Sequence, residues 1–220
     1  FEFYVLADGS SQQEYMPVGV AFGTTDGKTS YVPIDNDVLL AQGLTLGTFK
    51  EIFGRVLEHK KPIKCGYDTK YMKHVFANVG INLAGVSDDV MLESYVLEAH
   101  RSHTIEKLAA NWLKYELRGE EELLGKGAKK LSFSQVSVEK AAEFASERVF
   151  IVSRLNRLFK KALSDDAKLE KIYRDIEMPL SDVLFKMEQN GVLIDTKLLD
   201  QQTAQLNTKA RELEEQAFEV

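Results

Sequence analysis

The chain has 220 residues, a formal net charge of −6, 44% hydrophobic and 28% charged residues, the balance of a folded chain with a sizeable core. No apolar run approaches the roughly 20 residues of a membrane helix, and the acidic balance argues against a domain that grips nucleic acid alone through a broad basic face. The single cysteine, Cys65, rules out an intrachain disulfide and fits a reducing, cytoplasmic setting.

The chain starts inside a strand with neither an initiator Met nor a signal peptide, and so reads as a fragment of a longer protein. In FEFYVLA (1–7), Phe1, Phe3, Val5 and Ala7 alternate with Glu2, Tyr4 and Leu6, and Gly9-Ser10 closes the run. MPVGVAFGT (16–24) and KTSYVPID (28–35) are two further strands, joined by Thr25-Asp26-Gly27, an Asp-Gly hairpin signal. Phe49, Ile52, Phe53, Val56 and Leu57 recur at helical spacing and predict a helix over about 45–59. PIKCG predicts a fourth short strand, and residues 68–80 a helix with Asp68 as its cap and Gly80 as its stop. INLAGV then leads into a second capped helix, DDVMLESYVLEA, and HTIEKLAANWLKYE is a third. Residues 117–136 are loop-rich, and a long helix spans about 138 to 163.

Composition shifts at the polar break SDDA near 164. Residues 169–191 predict a helix interrupted or bent at Pro179 and stopped by Gly191. The last helix, from Thr196, is polar with a thin apolar stripe of Leu198, Leu199, Leu206 and Leu213. It fits equally an element whose partner lies elsewhere and a solvated surface helix. A meander of strands followed by alternating helices and strands predicts an α/β fold, a mixed sheet packed between helices.

Three blocks in order, GYDTKYMKHVFANVGINLAGVSDDVMLESYVLEA, GKGAKKLSFSQVSVEKAAEFASE and IEMPLSDVLFKMEQNGVLID, resemble bacterial DNA polymerase I. The first two resemble its 3′→5′ proofreading exonuclease domain, the third the helix leading into the polymerase thumb. The resemblance implies a ribonuclease H-like, DnaQ-type fold with a mixed five-stranded sheet. It divides the chain into an exonuclease-like domain over 1–165 and a connecting helix with the start of the thumb over 166–220. It also implies a monomer, with the polymerase domain of the same chain as partner, DNA met through the parent protein in replication and repair, and no membrane. Mg²⁺ is expected for the polymerase domain and no cofactor for this part.

Active members hydrolyse the terminal phosphodiester with two divalent metals about 4 Å apart. Hard cations of this kind want carboxylate oxygens. The family supplies an Asp-x-Glu on the first strand, an Asp after Lys-Tyr, and a Tyr-x-x-x-Asp whose spacing puts both side chains on one helix face. By this resemblance Tyr4 and Leu6 stand at the first pair, Met72 at the second motif (Lys70-Tyr71-Met72), and Phe144 and Arg148 at the third. All four carboxylates and the hydroxyl are replaced, and Arg148 sets a fixed positive charge where two cations would bind. An inactive exonuclease site follows, with the domain as a structural platform for the polymerase.

Two alternatives stand beside it. Asp8, Asp68, Asp88, Asp89 or Glu147 could rebuild a metal site, although Asp68, Asp88 and Asp89 read first as helix caps. Tyr71, Lys126, Lys129 and Lys130 could instead hold single-stranded DNA or a partner without cleavage, a solvated surface being the simpler reading of the lysines. The residues nearest the family's base-wedging positions are Ser10 and Glu120, neither of which stacks. His100-x-x-His103 lacks the acidic or Cys companions of a metal site.

Overall fold

The computed structural model describes residues 1–24, 27–35 and 43–218. Strands β1 (Glu2–Asp8), β2 (Met16–Gly23) and β3 (Thr29–Asp35) form the expected antiparallel meander, with Phe3 opposite Phe22 and Val20 opposite Val32. Thr25 and Asp26 of the expected turn lie outside the described residues. The hydrogen bond from the Thr24 N–H to the Lys28 carbonyl brackets the turn at 2.9 Å. After the two-residue strand β4 (Leu44–Thr45) come helix α1 (Leu46–Glu58), β5 (Lys64–Gly66), α2 (Thr69–Asn78), β6 (Val86–Asp89) and α3 (Val90–Glu98).

The sheet order is β4-β3-β2-β1-β5-β6, six strands where the resemblance implied five. The added edge β4 is only two residues long and runs parallel to the end of β3, with Leu44 beside Ile34. VSDD, read from sequence as part of a link and a helix start, is strand β6, because Lys64 to Gly66 offer it a parallel partner. A four-residue strand carries too little pattern to show itself without that neighbour.

Beyond α3 the chain shortens its elements. α4 (Ile105–Leu108) passes into a π-helical turn, Ala109–Leu113, so HTIEKLAANWLKYE is one short helical stretch ending at Lys114, where φ is +55°. The loop-rich segment contains α5 (Glu120–Leu124) and two 3₁₀ turns. The long helix α6 (Val138–Ser164) is capped by Ser137 and buries Phe144, Arg148, Val152 and Leu155 at spacings of three and four. α7 (Ala167–Ile172), a π turn over Tyr173–Glu177, and α8 (Met178–Asn190) form one continuous helical run. The helix is not interrupted at Pro179. The helix widens into a π turn just upstream instead, which accommodates the N–H that proline lacks. Gly191, with φ +67°, follows α8 as the expected stop.

Because side chains alternate along a strand, β1 feeds two cores. Phe3, Val5 and Ala7 pack with Phe49, Val75 and Phe76 beneath α1 and α2. Leu6 packs on the other face with Phe133, Phe144 and Val149 against α6. Two compact units are present, Phe1–Lys186 and Met187–Val220. In the first, the π turn and the start of α8 are fastened to the sheet. The Tyr173 hydroxyl accepts the Asp89 N–H at 2.9 Å, and Arg174 donates to the Ser87 carbonyl at 2.7 Å. Lys73 pairs with Asp182, and the His74 and Phe185 rings meet at 4.9 Å. The second unit carries α9 (Thr196–Phe218), whose Leu198, Leu199, Leu206 and Leu213 are exposed. Among the described residues no helix is long and apolar enough to cross a membrane.

Candidate functional site

The end of β1, the start of α2 and the loop 120–133 enclose a cavity of about 540 Å³. Tyr4, Leu6, Met72, Tyr71 and Lys130 line it, so five of the singled-out positions meet here. Phe144 and Arg148 lie four residues apart on one face of α6, behind Tyr4 and Leu6. Positions scattered over nearly 150 residues of sequence therefore converge, as one site requires.

Their chemistry is that of a core. Leu6, Met72 and Arg148 are each 1% exposed and Phe144 is 2% exposed. The Arg148 guanidinium carbon sits 3.3 Å from the Phe144 ring centroid and 5.9 Å from that of Tyr4. Its Nη2 donates to Glu106 Oε1 at 2.9 Å and to the Arg118 carbonyl at 2.8 Å. Burial, opposed by the Arg148 charge, pushes the Tyr4 phenol up to about 12. Tyr4 is therefore a neutral phenol at neutral pH, a poor ligand for a hard cation. Burial likewise raises Tyr71, whose ring meets that of Tyr15 at 4.9 Å.

Each acid weighed for a metal site is engaged elsewhere. Asp8 accepts the Phe133 and Ser134 N–H groups at 2.7 and 3.0 Å. Asp68 caps α2 through the Tyr71 N–H at 3.2 Å. Asp89 caps α3 through the Met91 N–H and also accepts the Thr69 N–H and hydroxyl, at 2.6 and 2.8 Å. Asp88 is not a cap. It lies 2.7 Å from Lys160 Nζ and 2.9 Å from Arg174 Nη2, and those cations hold it below the usual carboxylate range against its burial. Glu147 accepts the Tyr115 hydroxyl at 2.6 Å. Among the described residues no three His, Cys, Asp or Glu side chains come together as a metal needs, so a divalent ion does not fit this donor set. His103 instead shares a 3.0 Å hydrogen bond with Ser94.

The lysines fare similarly. Lys126 pairs with Glu121 at 2.6 Å and Lys130 approaches Glu120 at 3.9 Å, while Lys129 is exposed in a 3₁₀ turn. Glu120 projects into the cavity, and Ser10 bonds Glu14 outside it. What sequence reasoning missed is the acidic rim itself. Glu120, Glu121 and Glu122 form the first turn of α5, a helix too short to be seen in a segment read as loop.

Comparison with known proteins bears on the family and the fold. The family described as "DNA polymerase I, ribonuclease H-like domain" matches residues 15–155. DNA polymerase I of Pseudomonas aeruginosa is 35% identical over 212 residues, 94% of this chain and 23% of that protein. The Synechocystis enzyme is 29% identical over 92% of this chain and 20% of its own length. The chain thus spans about a quarter or less of the curated relatives it matches first. Among solved structures, the polymerase domain of Pol1 from M. smegmatis with primer-template and dNTP aligns at a TM-score of 0.73 and 22% identity, over 96% of this chain and 32% of that one. NrnC of Brucella melitensis bound to pGG aligns at 0.63 and 14% identity over 88% of each chain. At these identities the structures establish the fold, a mixed ribonuclease H-like sheet flanked by helices.

Proposed function

Since this chain belongs to the DNA polymerase I ribonuclease H-like domain family, we propose that it is a proofreading-exonuclease fold without exonuclease chemistry, serving as a platform for the polymerase part of a longer DNA polymerase I. The observation that carries this reading is the convergence of Tyr4, Leu6 and Met72 on one cavity, with Arg148 packed behind Tyr4, at the positions where the family resemblance implies metal carboxylates. Apolar side chains occupy the space of metals and water, and the buried guanidinium opposes cations electrostatically. Residues 166–220 lead toward the polymerase thumb, and DNA is met through that domain, with Mg²⁺ acting there.

The surface of the first unit supports a platform role. Ile172, Ile176, Leu180, Val183 and Leu184 stay exposed along one helical run, at spacings that make a continuous apolar row. Such a row on an otherwise charged helix is a contact surface.

Nucleotide release from a 3′-labelled single strand tests the reading, with Mg²⁺ or Mn²⁺, a chelator control, and Arg148→Asp alongside. No release is expected from either protein, because three carboxylates remain missing in the variant. Chelator-sensitive trimming that disappears with Asp8→Ala or Asp68→Ala overturns it in favour of a rebuilt metal site. Salt-sensitive single-strand binding lost with Lys126→Ala, Lys129→Ala and Lys130→Ala favours a non-cleaving DNA-binding module.

A further inference from the structure

At the other end of β1, its first residues meet the end of β2, the start of β3 and the middle of α6 around a cleft of about 180 Å³. Gly23 lets these elements close on one another. A Cβ there would lie 2.4 Å from Val149 Cγ1 and 3.5 Å from Glu2 Oε2. The cleft is lined by Glu2, Lys28, Phe150, Ser153, Arg154 and Arg157. Phe150, Arg154 and Arg157 follow one another at spacings of four and three, which sets them on one face of α6, and all three are exposed.

Two kinds of group here lack partners. Arg154 and Arg157 make no ion pair and no side-chain hydrogen bond among the described residues. The Arg154 guanidinium only approaches the Phe150 ring, at 5.1 Å from its centroid. Arg118, Arg148, Lys160 and Arg174, by contrast, each pair with a carboxylate of this acidic chain. Glu2 Oε2 is buried and accepts no hydrogen bond among the described residues. A buried acceptor without a donor costs free energy that a bound N–H group would return.

These groups ask for different things of one ligand. A simple anion would satisfy the arginines and leave the carboxylate stranded, and a simple cation would do the reverse. A nucleotide offers both. Guanidinium groups pair with phosphate in a bidentate fork, an exposed ring stacks a base, and a carboxylate accepts from the N–H edge of a base. Guanine suits that edge best, because its N1–H and amino group are neighbouring donors. The adenine amino group sits beside a ring acceptor that a carboxylate repels. The cleft is smaller than the roughly 300–1,000 Å³ of sites that enclose a whole ligand. It takes the base, with sugar and phosphate at its mouth beside the exposed arginines.

We propose that this cleft binds a guanine nucleotide, with the base edge on Glu2, its ring against Phe150 and its phosphate on Arg154 and Arg157. The source is either a free nucleotide or a guanosine residue of a single strand, which present the same chemistry. The cleft shares no lining residue with the cavity at the end of β1, so it stands whether or not that cavity has lost its metals.

The test is calorimetric titration of the chain with guanosine monophosphate, adenosine monophosphate, inorganic phosphate and a dT pentamer carrying a terminal dG. The guanine nucleotide should bind at least tenfold more tightly than the adenine nucleotide or phosphate. A pentamer tighter again by tenfold assigns the cleft to a strand, and a smaller gain assigns it to a free nucleotide. Arg157→Ala should weaken the guanine ligand at least tenfold, while Lys107→Ala, exposed on α4, should leave it unchanged. Glu2→Gln should retain phosphate binding and lose the preference for guanine over adenine. Failure of both guanine ligands to bind overturns the site. Equal weakening by Arg157→Ala and Lys107→Ala also overturns it, since that means diffuse charge attraction. Adenine nucleotide or phosphate binding as tightly as guanine nucleotide, or a Glu2→Gln variant that keeps the preference, overturns the assignment of the base.

Discussion

Glu93 offers the sharpest quantitative check on this structure. It is 0% exposed on α3, and Asn156 Nδ2 on α6 donates to both its oxygens, at 3.0 and 3.2 Å. Burial, with Asp88 and Asp89 adding their charge against the opposing Asn156 bond and Lys160, raises its carboxyl from 4.5 to about 9. Between those values the folded chain keeps a proton that the unfolded chain releases. The stability it contributes is complete below pH 4.5 and is lost as pH rises toward 9. At about 1.4 kcal/mol per pH step, the loss by pH 8 is on the order of 5 kcal/mol, a large part of the roughly 5–15 kcal/mol that holds a domain folded. Glu93→Gln keeps the shape and removes the titration, provided that Asn156 turns its amide to pair with the new one. Urea unfolding at pH 5, 6.5 and 8 should show the variant near wild type at the lowest pH, then increasingly more stable, by about 3–5 kcal/mol at pH 8. A difference independent of pH, or a variant less stable at pH 8, would mean that Glu93 is an ionised partner of Lys160 and would refute the reasoning.

Other changes test other joints of the molecule. Tyr173→Phe leaves the buried Asp89 N–H without its 2.9 Å acceptor. It should cost about 1–3 kcal/mol and speed hydrogen exchange over residues 167–186, read by mass spectrometry. Arg148→Met keeps the volume but strands the Arg118 carbonyl and Glu106, the latter 34% exposed and able to rehydrate. A loss of about 1–3 kcal/mol in urea is expected, below the 3–5 kcal/mol of a fully buried pair. At Gly85, φ is +71° and an added Cβ would lie 2.4 Å from the Lys60 carbonyl oxygen, so Gly85→Ala should lower the melting temperature by several degrees or more. Leu180→Asp with Val183→Asp should leave this chain's melting nearly unchanged, yet destabilise the longer polymerase proposed above if the apolar row is covered there. Equal melting in the full-length protein would remove that row from the platform argument.

Much of the fold was legible in the sequence because its signals are local. The alternation of β1, the Asp68 cap, the Gly80 and Gly191 stops and the helical spacing of Phe49, Phe53 and Leu57 each depend on neighbours within a few residues. That Tyr4, Leu6, Met72 and Arg148 offer no carboxylate is equally a matter of residue identity. Folding alone determined who meets whom. β4 and β6 are strands only because β3 and β5 lie beside them. Asp8 holds the N–H groups of Phe133 and Ser134, 125 and 126 residues away. The rim glutamates claim Lys126 and Lys130, and Glu93 becomes a buried acid only where α3 meets α6. Backbone propensity acts over a turn or two of chain, whereas pairing, desolvation and charge depend on distance in space, which the sequence does not carry.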